Sequence, residues 1–254
     1  MIIPKKSLGQ NFLIDKNISK KIVNLADNIN EKNIIEVGPG KGALTDEILK
    51  KKPKKIILIE KDKFLYEYLL KKYKNTKKII LLNQDALNYD YTLIKKPKSI
   101  ISNLPYNISI KLIIQWLKNP SKFEEIIIMI QKEVAQKMQY KNIKKRNRLN
   151  VITELSSNFN IEFNVSKNVF YPKPKVMSSV IKIKPKNNHN IDINKLENFT
   201  RDIFKNKRKK ISNVINFKKL KNKEKIIKLN ILNLRAEDLN IDQIIKIFNE
   251  YQQI

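Results

Sequence analysis

Short apolar runs rich in isoleucine alternate with lysine-rich stretches through the first half of the chain. Apolar, β-branched runs bounded by polar residues are typical of buried strands. They predict strands at 33–38, 55–60, 79–85, 99–104 and 124–131. The segments 43–51 and 63–73 have apolar residues three and four positions apart, so they predict helices. This alternation predicts an α/β fold, a parallel sheet with helices on both faces.

The pattern changes towards the C-terminus. Two more strands are predicted at about 159–165 and 176–184, the second bracketed by prolines. Beyond about residue 190, helical spacing continues without further strands, at 193–215, 223–230 and 240–252. We therefore predict two domains, residues 1–187 with the sheet and residues 188–254 as a small all-α domain, with the polar stretch "KNNHN" as the linker.

The composition excludes several kinds of site. The chain has no cysteine, which excludes disulfides, thiolate nucleophiles and cysteine-ligated metals. Its one histidine, His189, stands in the polar linker, so a histidine-dependent triad and a multi-histidine metal site are excluded, and we predict no metal. No apolar run reaches the length of a membrane span, and no signal-peptide core follows Lys5 and Lys6. We expect a soluble, cytoplasmic protein with no membrane partner.

The formal net charge of +29 indicates a nucleic-acid partner, because polyanions bind basic surfaces through counterion release. Abundant isoleucine, lysine and asparagine are also typical of AT-rich codons, so part of the lysine excess has this second explanation. Two runs are candidates for phosphate contact. Residues 201–228 carry twelve basic and two acidic side chains, and residues 141–148 carry five basic and no acidic ones.

Glycine is scarce: the chain has four, and three of them stand in "EVGPGKGALT". Gly38, Gly40 and Gly42 follow a predicted strand and open a predicted helix, where a tight turn and unpaired N–H groups suit a ligand. Glu60 ends the next strand, 22 residues beyond Gly38, where a carboxylate can accept both hydroxyls of a ribose. The pattern predicts a nucleoside-containing cofactor. Because the spacing differs from the dinucleotide G-x-G-x-x-G, NAD is a minor alternative.

Polar groups also end the third and fourth predicted strands. Asp85 is placed either to accept a hydrogen bond from an adenine amino group or to cap the following turn. In "SNLPYNIS", the Asn103 side-chain oxygen and the Leu104 carbonyl are two acceptors that can turn a base amine's lone pair towards an electrophilic methyl group. Pro105 holds that carbonyl outward, and Tyr106 offers a flat face to a flipped base. The motif predicts methyl transfer, in which positioning supplies most of the catalysis.

Motifs along nearly the whole chain resemble those of the ribosomal RNA adenine dimethyltransferases, and more narrowly the small-subunit (16S) enzymes of the KsgA type. They are "LGQNFL", "EVGPGKGALT", "LIEKD", "QDAL", "NLPYNIS", "FYPKPKVMSS", "FKNKRKKISNVI" and "RAEDLNIDQIIKIFN". The resemblance implies a Rossmann-like methyltransferase domain with S-adenosyl-L-methionine as methyl donor. It also implies dimethylation of the N6 amines of two adjacent adenosines in a hairpin near the 3′ end of small-subunit rRNA. We expect a monomer that acts on rRNA within a small-subunit precursor during ribosome biogenesis.

The resemblance also implies roles for individual residues. The cofactor contacts would be Asn11, Leu13, Gly38, Glu60, Asp85 and Asn103. Glu60 would hold the ribose, Asp85 the adenine, and Asn103 both the cofactor and the target amine. Gly9 would let the N-terminal segment fold over the cofactor. Phe170 would be a second stacking face opposite Tyr106, although residue type alone favours a core aromatic at that position.

Three positions depart from the family pattern: Ser102 where glycine is common, Met177 where aspartate is usual, and the missing glycine before Arg148. None of them removes a predicted catalytic group. Two other functions stay open. One is that of the large-subunit (23S) rRNA methyltransferases of macrolide resistance, which share the Asn-x-Pro-Tyr and Pro-x-Pro motifs; the other is that of a non-catalytic ribosome-assembly or nucleic-acid-binding factor. "LGQNFL", "GPGKGALT" and "RAEDL" favour the small-subunit type, and the intact "NLPY" favours catalysis.

Overall fold

The computed structural model describes residues 4–5, 8–119, 122–141, 143–186, 191–206 and 208–251. The chain forms two compact units. Unit 1 comprises Met1–Gln136 and Phe159–Pro185, and unit 2 comprises Lys137–Asn158 and Lys186–Ile254. His189 and the predicted domain boundary between residues 187 and 188 lie outside the described residues.

The sheet confirms the predicted α/β class and is mixed rather than wholly parallel. Its strands are β2 (Asn33–Val37), β3 (Lys55–Glu60), β4 (Ile79–Asn83), β5 (Lys98–Asn103), β6 (Ile126–Gln131), β7 (Ser157–Val165) and β9 (Ser178–Pro185). Their order is β4-β3-β2-β5-β6-β9-β7. The first five of these run parallel, whereas β9 is antiparallel to β6. All seven predicted strands are confirmed, with ends shifted by at most two residues.

A separate two-stranded antiparallel sheet joins the N-terminal segment to the loop before β9. It consists of β1 (Phe12–Leu13) and β8 (Phe170–Tyr171). Phe12 is paired with Tyr171, and Leu13 with Phe170. The pattern did not predict these strands, because two residues are too few to show a period of two.

Helices cover the sheet of unit 1. They are α1 (Lys16–Val23), α2 (Ala43–Lys50), α3 (Lys63–Lys72) and α4 (Ser109–Leu117), and α5 (Lys132–Met138) continues into unit 2. The α1, α2 and α3 side chains share a core with strand residues such as Ile34 and Leu58. The strand residues of opposite parity, such as Ile35 and Ile59, are also buried. Both faces of the central strands are therefore covered, which explains their continuous apolar runs.

Unit 2 is helical, with α6 (Arg148–Ser156), α7 (Ile193–Phe204), α8 (Lys223–Ile227) and α9 (Ile241–Glu250). The helix predicted over 193–215 ends at Phe204, because no apolar residue follows before Ile211. Residues 137–158 were predicted in the sheet domain, but α6 packs against α7, so contacts place them in unit 2. None of the helices in the described ranges is long and apolar enough to cross a bilayer.

Candidate functional site

A cavity lies where the parallel strands of unit 1 end. It is lined by the last residues of β2, β3 and β5, by the segment after β4 and by the N-terminal segment 8–13. The carboxyl ends of parallel strands meet at one edge of the sheet, which is where open α/β sheets bind ligands. All predicted site residues except Phe170 line this cavity: Asn11, Leu13, Gly38, Glu60, Asp85, Asn103, Leu104 and Tyr106.

Phe170 lies in the hydrophobic core. Its side chain is 4% exposed and packs in the same cluster as Leu13, its partner in the β1–β8 ladder. Successive strand residues point to opposite faces, so Phe170 faces inward and Tyr171, which is 56% exposed, faces outward. The structure therefore does not bring Phe170 to the cavity with Tyr106. The alternative interpretation, a core aromatic, describes its position.

Two glycines of the loop after β2 make room for side chains from other segments. A Cβ on Gly40 would lie 2.9 Å from a ring carbon of Phe12, and a Cβ on Gly42 would lie 2.2 Å from the Tyr73 hydroxyl. Both residues have positive φ, which favours glycine. The Tyr73 hydroxyl bonds to Asp46 at 2.7 Å and so ties α3 to the start of α2. Glycine at both positions is therefore required by packing as well as by backbone conformation.

The N-terminal segment is fastened to the cavity through Asp62, which follows β3. Gln10 Nε2 donates to one Asp62 oxygen at 2.9 Å, and Lys5 Nζ pairs with the other at 3.0 Å. Burial acts to raise the pKa of Asp62, but the hydrogen bonds from Gln10 and Lys5 outweigh it and lower the pKa. The carboxylate therefore stays charged and holds both partners. Gln10 and Asn11 consequently lie in the cavity wall.

The side chain of Asn103 is oriented by the same segment. Its Nδ2 donates to the carbonyl of Asn11 at 3.1 Å, which leaves Oδ1 as an acceptor. Within the described ranges, no donor is bonded to Oδ1 or to the Leu104 carbonyl. The Leu104 N–H donates to Met129 at 3.2 Å. Two unpaired acceptors on adjacent residues therefore end β5.

Tyr106 is held by a residue that the sequence did not point to. Its hydroxyl lies 2.7 Å from the hydroxyl of Ser178, which is buried at the start of β9. Burial raises the pKa of Tyr106, so its ring carries a neutral hydroxyl at physiological pH. The two residues are 72 positions apart, and no local pattern predicts such a contact. This hydrogen bond restricts rotation of the ring that was predicted to stack on a base.

Two carboxylates lie beside the loop. Glu60 is 6% exposed and accepts the N–H of Asp62 at 2.9 Å, and burial raises its pKa. Asp85 accepts from Lys61 Nζ at 2.8 Å and from the Leu87 N–H at 3.0 Å, and these bonds lower its pKa. The Leu87 bond confirms the capping role considered for Asp85. Contact of Asp85 with an adenine stays a prediction.

Glu36, in β2, also lines the cavity and was not predicted. Its side chain is 2% exposed, and Oε2 accepts the Thr45 hydroxyl at 2.6 Å. Burial raises the pKa of Glu36 to about 8; the nearby Asp46 and Glu60 add to this shift, whereas Thr45 and Lys72 oppose it. An acidic residue inside an otherwise apolar strand is the signal that could have identified it. The site therefore contains a buried carboxyl group whose pKa is raised well above its ordinary value.

Replacing Glu36 by glutamine is expected to flatten the pH dependence of stability. Folded Glu36 keeps its proton up to about pH 8, whereas the unfolded chain loses it near 4.5. The folded state therefore binds more protons in this window, so its stability falls as the pH rises. In urea unfolding from about pH 5 to about pH 8, we expect wild type to lose roughly 1–3 kcal/mol relative to Glu36→Gln. Exposed Glu31→Gln is the control, and parallel curves for Glu36→Gln and wild type would contradict the assignment.

The two basic runs differ in their pairing. In residues 141–148, three cations bind acids of unit 2: Lys145 pairs with Asp238 at 2.6 Å, Arg148 with Glu197 at 2.8 Å, and Arg146 with Glu154. In residues 201–228, acidic partners are present for Arg201, Lys219 and Lys225. Most other cations of that run have no acidic partner among the described residues. The pairing favours a structural role for the first run and phosphate contact for the second.

Comparisons with known proteins show what this chain is similar to. A model of the ribosomal RNA adenine dimethylase family matches residues 3–253. A ribosomal RNA small subunit methyltransferase A from Mycoplasmopsis synoviae is 40% identical over 249 residues, which are 96% of this chain and 95% of the relative. Its counterpart from Ehrlichia canis is 40% identical over 267 residues, 98% of this chain and 97% of the relative.

Solved structures support the fold. A dimethyladenosine transferase from Plasmodium falciparum has a TM-score of 0.79 at 24% identity, covering 93% of this chain and 95% of its own. The 23S rRNA methyltransferase ErmE has a TM-score of 0.69 at 20% identity, covering 96% of this chain and 100% of its own. The family model spans nearly the whole sequence, and two relatives that match over nearly their full length are 40% identical to this chain. The chain therefore belongs to the ribosomal RNA adenine dimethylase family.

Proposed function

We propose that this protein dimethylates the N6 amines of two adjacent adenosines in a hairpin near the 3′ end of small-subunit (16S) rRNA, with S-adenosyl-L-methionine as methyl donor. The observation that carries the proposal is the pair of free acceptors at the end of β5, Asn103 Oδ1 and the Leu104 carbonyl. An N6 amine has two hydrogens. For the first methylation both hydrogens would be held by acceptors, so the lone pair would point away from them and towards the methyl donor. The monomethylated amine keeps one hydrogen, which one of these acceptors would hold during the second methylation.

The residues that line the cavity fit this cofactor. Glu60 offers a buried carboxylate for ribose hydroxyls, and Asp85 offers an acceptor for an adenine amine once Lys61 shifts. Gly38, Asn11 and Leu13 complete the wall. When bound, S-adenosyl-L-methionine supplies an electrophilic methyl group on a sulfonium. The amine would displace the methyl group from sulfur, leaving the cofactor as a neutral thioether, and the extra proton of the methylated amine would pass to solvent. The displacement would then need no acid–base residue of the protein, which suits a wall without histidine or cysteine.

Tyr106 would support the target base on its flat face. Base–aromatic stacking contributes about 1–3 kcal/mol per base, which offsets part of the cost of removing the adenosine from its neighbours. Ser178 fixes the ring through the hydroxyl contact. Phe170 is buried and is not among the residues that line the cavity, so its stacking on the target base stays a prediction.

We further propose that the helical C-terminal domain contacts RNA through its unpaired cations in residues 201–228, and that the substrate is RNA within a small-subunit precursor. The net charge of +29 supports an RNA partner. We also propose that the protein acts as a monomer. The relatives above from Mycoplasmopsis and Ehrlichia are bacterial proteins. Bacterial ribosomes are made in the cytoplasm, where we place the protein.

The test is methyl transfer by the purified full chain from labelled S-adenosyl-L-methionine. The substrates are small ribosomal subunits lacking the modification and, in parallel, large-subunit rRNA, and the products are mapped by digestion and mass spectrometry. We expect dimethyladenosine at two adjacent positions of the 3′ hairpin of the small-subunit RNA. Label on large-subunit RNA would move the protein to the resistance class. Binding of subunits without label on either RNA would indicate an assembly factor and overturn the catalytic proposal.

A further inference from the structure

We infer that Tyr171 is a stacking platform for the nucleotide next to the target adenosine, an inference that rests on the function proposed above. Tyr171 is 56% exposed although it stands in a paired strand. It stands in β8, directly opposite Phe12 in the ladder with β1. Its position, rather than its exposure alone, carries the inference.

The ladder fixes where the Tyr171 ring points. Directly opposed residues in an antiparallel pair have their side chains on the same face, with Cβ atoms about 4.5–5.5 Å apart. Leu13 and Phe170 pack in the core cluster, so Phe12 and Tyr171 share the opposite face of the ladder, and both residues of β1 also line the cavity. Phe12 lines the cavity and packs against Gly40. Tyr171 is therefore the neighbour of a cavity-lining ring, although it is not itself among the lining residues.

The position of Tyr171 outside the cavity indicates which nucleotide it would contact. A base inside the cavity would meet Phe12 and Tyr106, whereas a base stacked on Tyr171 lies outside, beside the rim. In the proposed substrate the nucleotide outside the cavity is a neighbour of the methylated adenosine. It must be held somewhere while the target is extruded from its stack. An exposed aromatic beside the cavity meets this requirement, because stacking accepts any base.

The local charge fits an RNA strand. Lys173 and Lys175 are both exposed and follow Tyr171 in "YPKPK". No acidic partner is found for either lysine in the described part of the chain. Aromatic and basic side chains interleaved in one segment are typical of surfaces that bind single-stranded nucleic acid, since the rings stack on bases while the cations contact phosphates.

The test compares Tyr171→Ala, Tyr171→Leu and Tyr171→Phe in methylation of small subunits, with kcat and KM measured separately. We expect Ala and Leu to raise KM for subunits about fivefold or more, Phe to keep it within about twofold, and kcat to change little. Affinity for S-adenosyl-L-methionine and the thermal transition should match wild type, which shows that each variant folds. Phe64→Ala, which removes an equally exposed aromatic (56%) from α3, is the matched control.

An unchanged KM in Tyr171→Ala, or an equal rise in Phe64→Ala, would overturn the inference while leaving the proposed function intact. So would a KM in Tyr171→Leu equal to wild type, since leucine keeps an apolar surface but no ring. Failure of wild type to methylate either RNA would instead overturn the proposed function, and the inference with it.

Discussion

Asn103→Ala is expected to lower the rate of methyl transfer at least about 100-fold while the protein stays folded. The variant removes Oδ1, one of the two acceptors that orient the amine, and also the Nδ2 bond to the Asn11 carbonyl. One lost hydrogen bond changes cofactor binding by only about 1 kcal/mol, so affinity for S-adenosyl-L-methionine should fall less than about tenfold. Single-turnover rates and cofactor titrations measure the two effects separately.

A second variant separates the two functions of this amide. Asn103→Asp keeps an acceptor oxygen but cannot donate to the Asn11 carbonyl, so we expect a rate between those of wild type and Asn103→Ala. Exposed Asn119→Ala, which follows α4, is the control for removal of an asparagine side chain. If Asn103→Ala kept more than about a tenth of the wild-type rate, positioning of the amine by Asn103 would be wrong.

Glu125→Gln is expected to give a large loss of stability, about 3–5 kcal/mol. The carboxylate is 1% exposed, just before β6, and lies 2.9 Å from Lys32 Nζ and 3.1 Å from Lys182 Nζ. It also accepts the Asp27 N–H at 3.0 Å. Removing its charge leaves Lys32, whose side chain is 11% exposed, without an opposite charge in surroundings of low dielectric. Urea unfolding followed by circular dichroism measures the loss.

The residue before Glu125 provides the control for this variant. Glu124 is exposed, so Glu124→Gln should change stability by less than about 0.5 kcal/mol. Glu125 precedes β6, at the edge of the sheet opposite the cavity, so folded Glu125→Gln should bind S-adenosyl-L-methionine as wild type does. Equal stability of the two variants would show that the buried cluster contributes little beyond its desolvation cost.

The sheet could be predicted because its strands are buried on both faces. Runs such as 33–38 and 55–60 need no periodicity to be recognised, and in both cases the strand begins where the run does. Parallel strands also bring Glu60, Asp85 and Asn103 to one edge without any further information. Helix ends were harder: the helix predicted over 193–215 ends at Phe204, where the apolar spacing is interrupted until Ile211.

What the sequence could not give are contacts between distant segments. Whether Phe170 or Tyr171 faces the core depends on the register of β8 with β1, a pairing of residues more than 150 positions apart. The partners of Lys145 lie up to 93 positions away, so a run that looked free for phosphate is partly paired. The contact of Ser178 with Tyr106 could not be predicted from the sequence for the same reason. The family resemblance identified the motifs, but only the pairing of β1 with β8 shows that Phe170 is buried and Tyr171 is exposed.

The contacts of the glycine loop have an evolutionary consequence. Gly40 can gain a Cβ only if the ring at position 12 is lost or displaced, and Gly42 only if the Tyr73 hydroxyl is lost or displaced, and the positive φ strains either substitution further. These residues should therefore covary: homologous sequences with a larger residue at position 40 should lack an aromatic at position 12. The chain has only four glycines, and Gly40 and Gly42 mark two places where distant segments pack too closely to accept a larger residue.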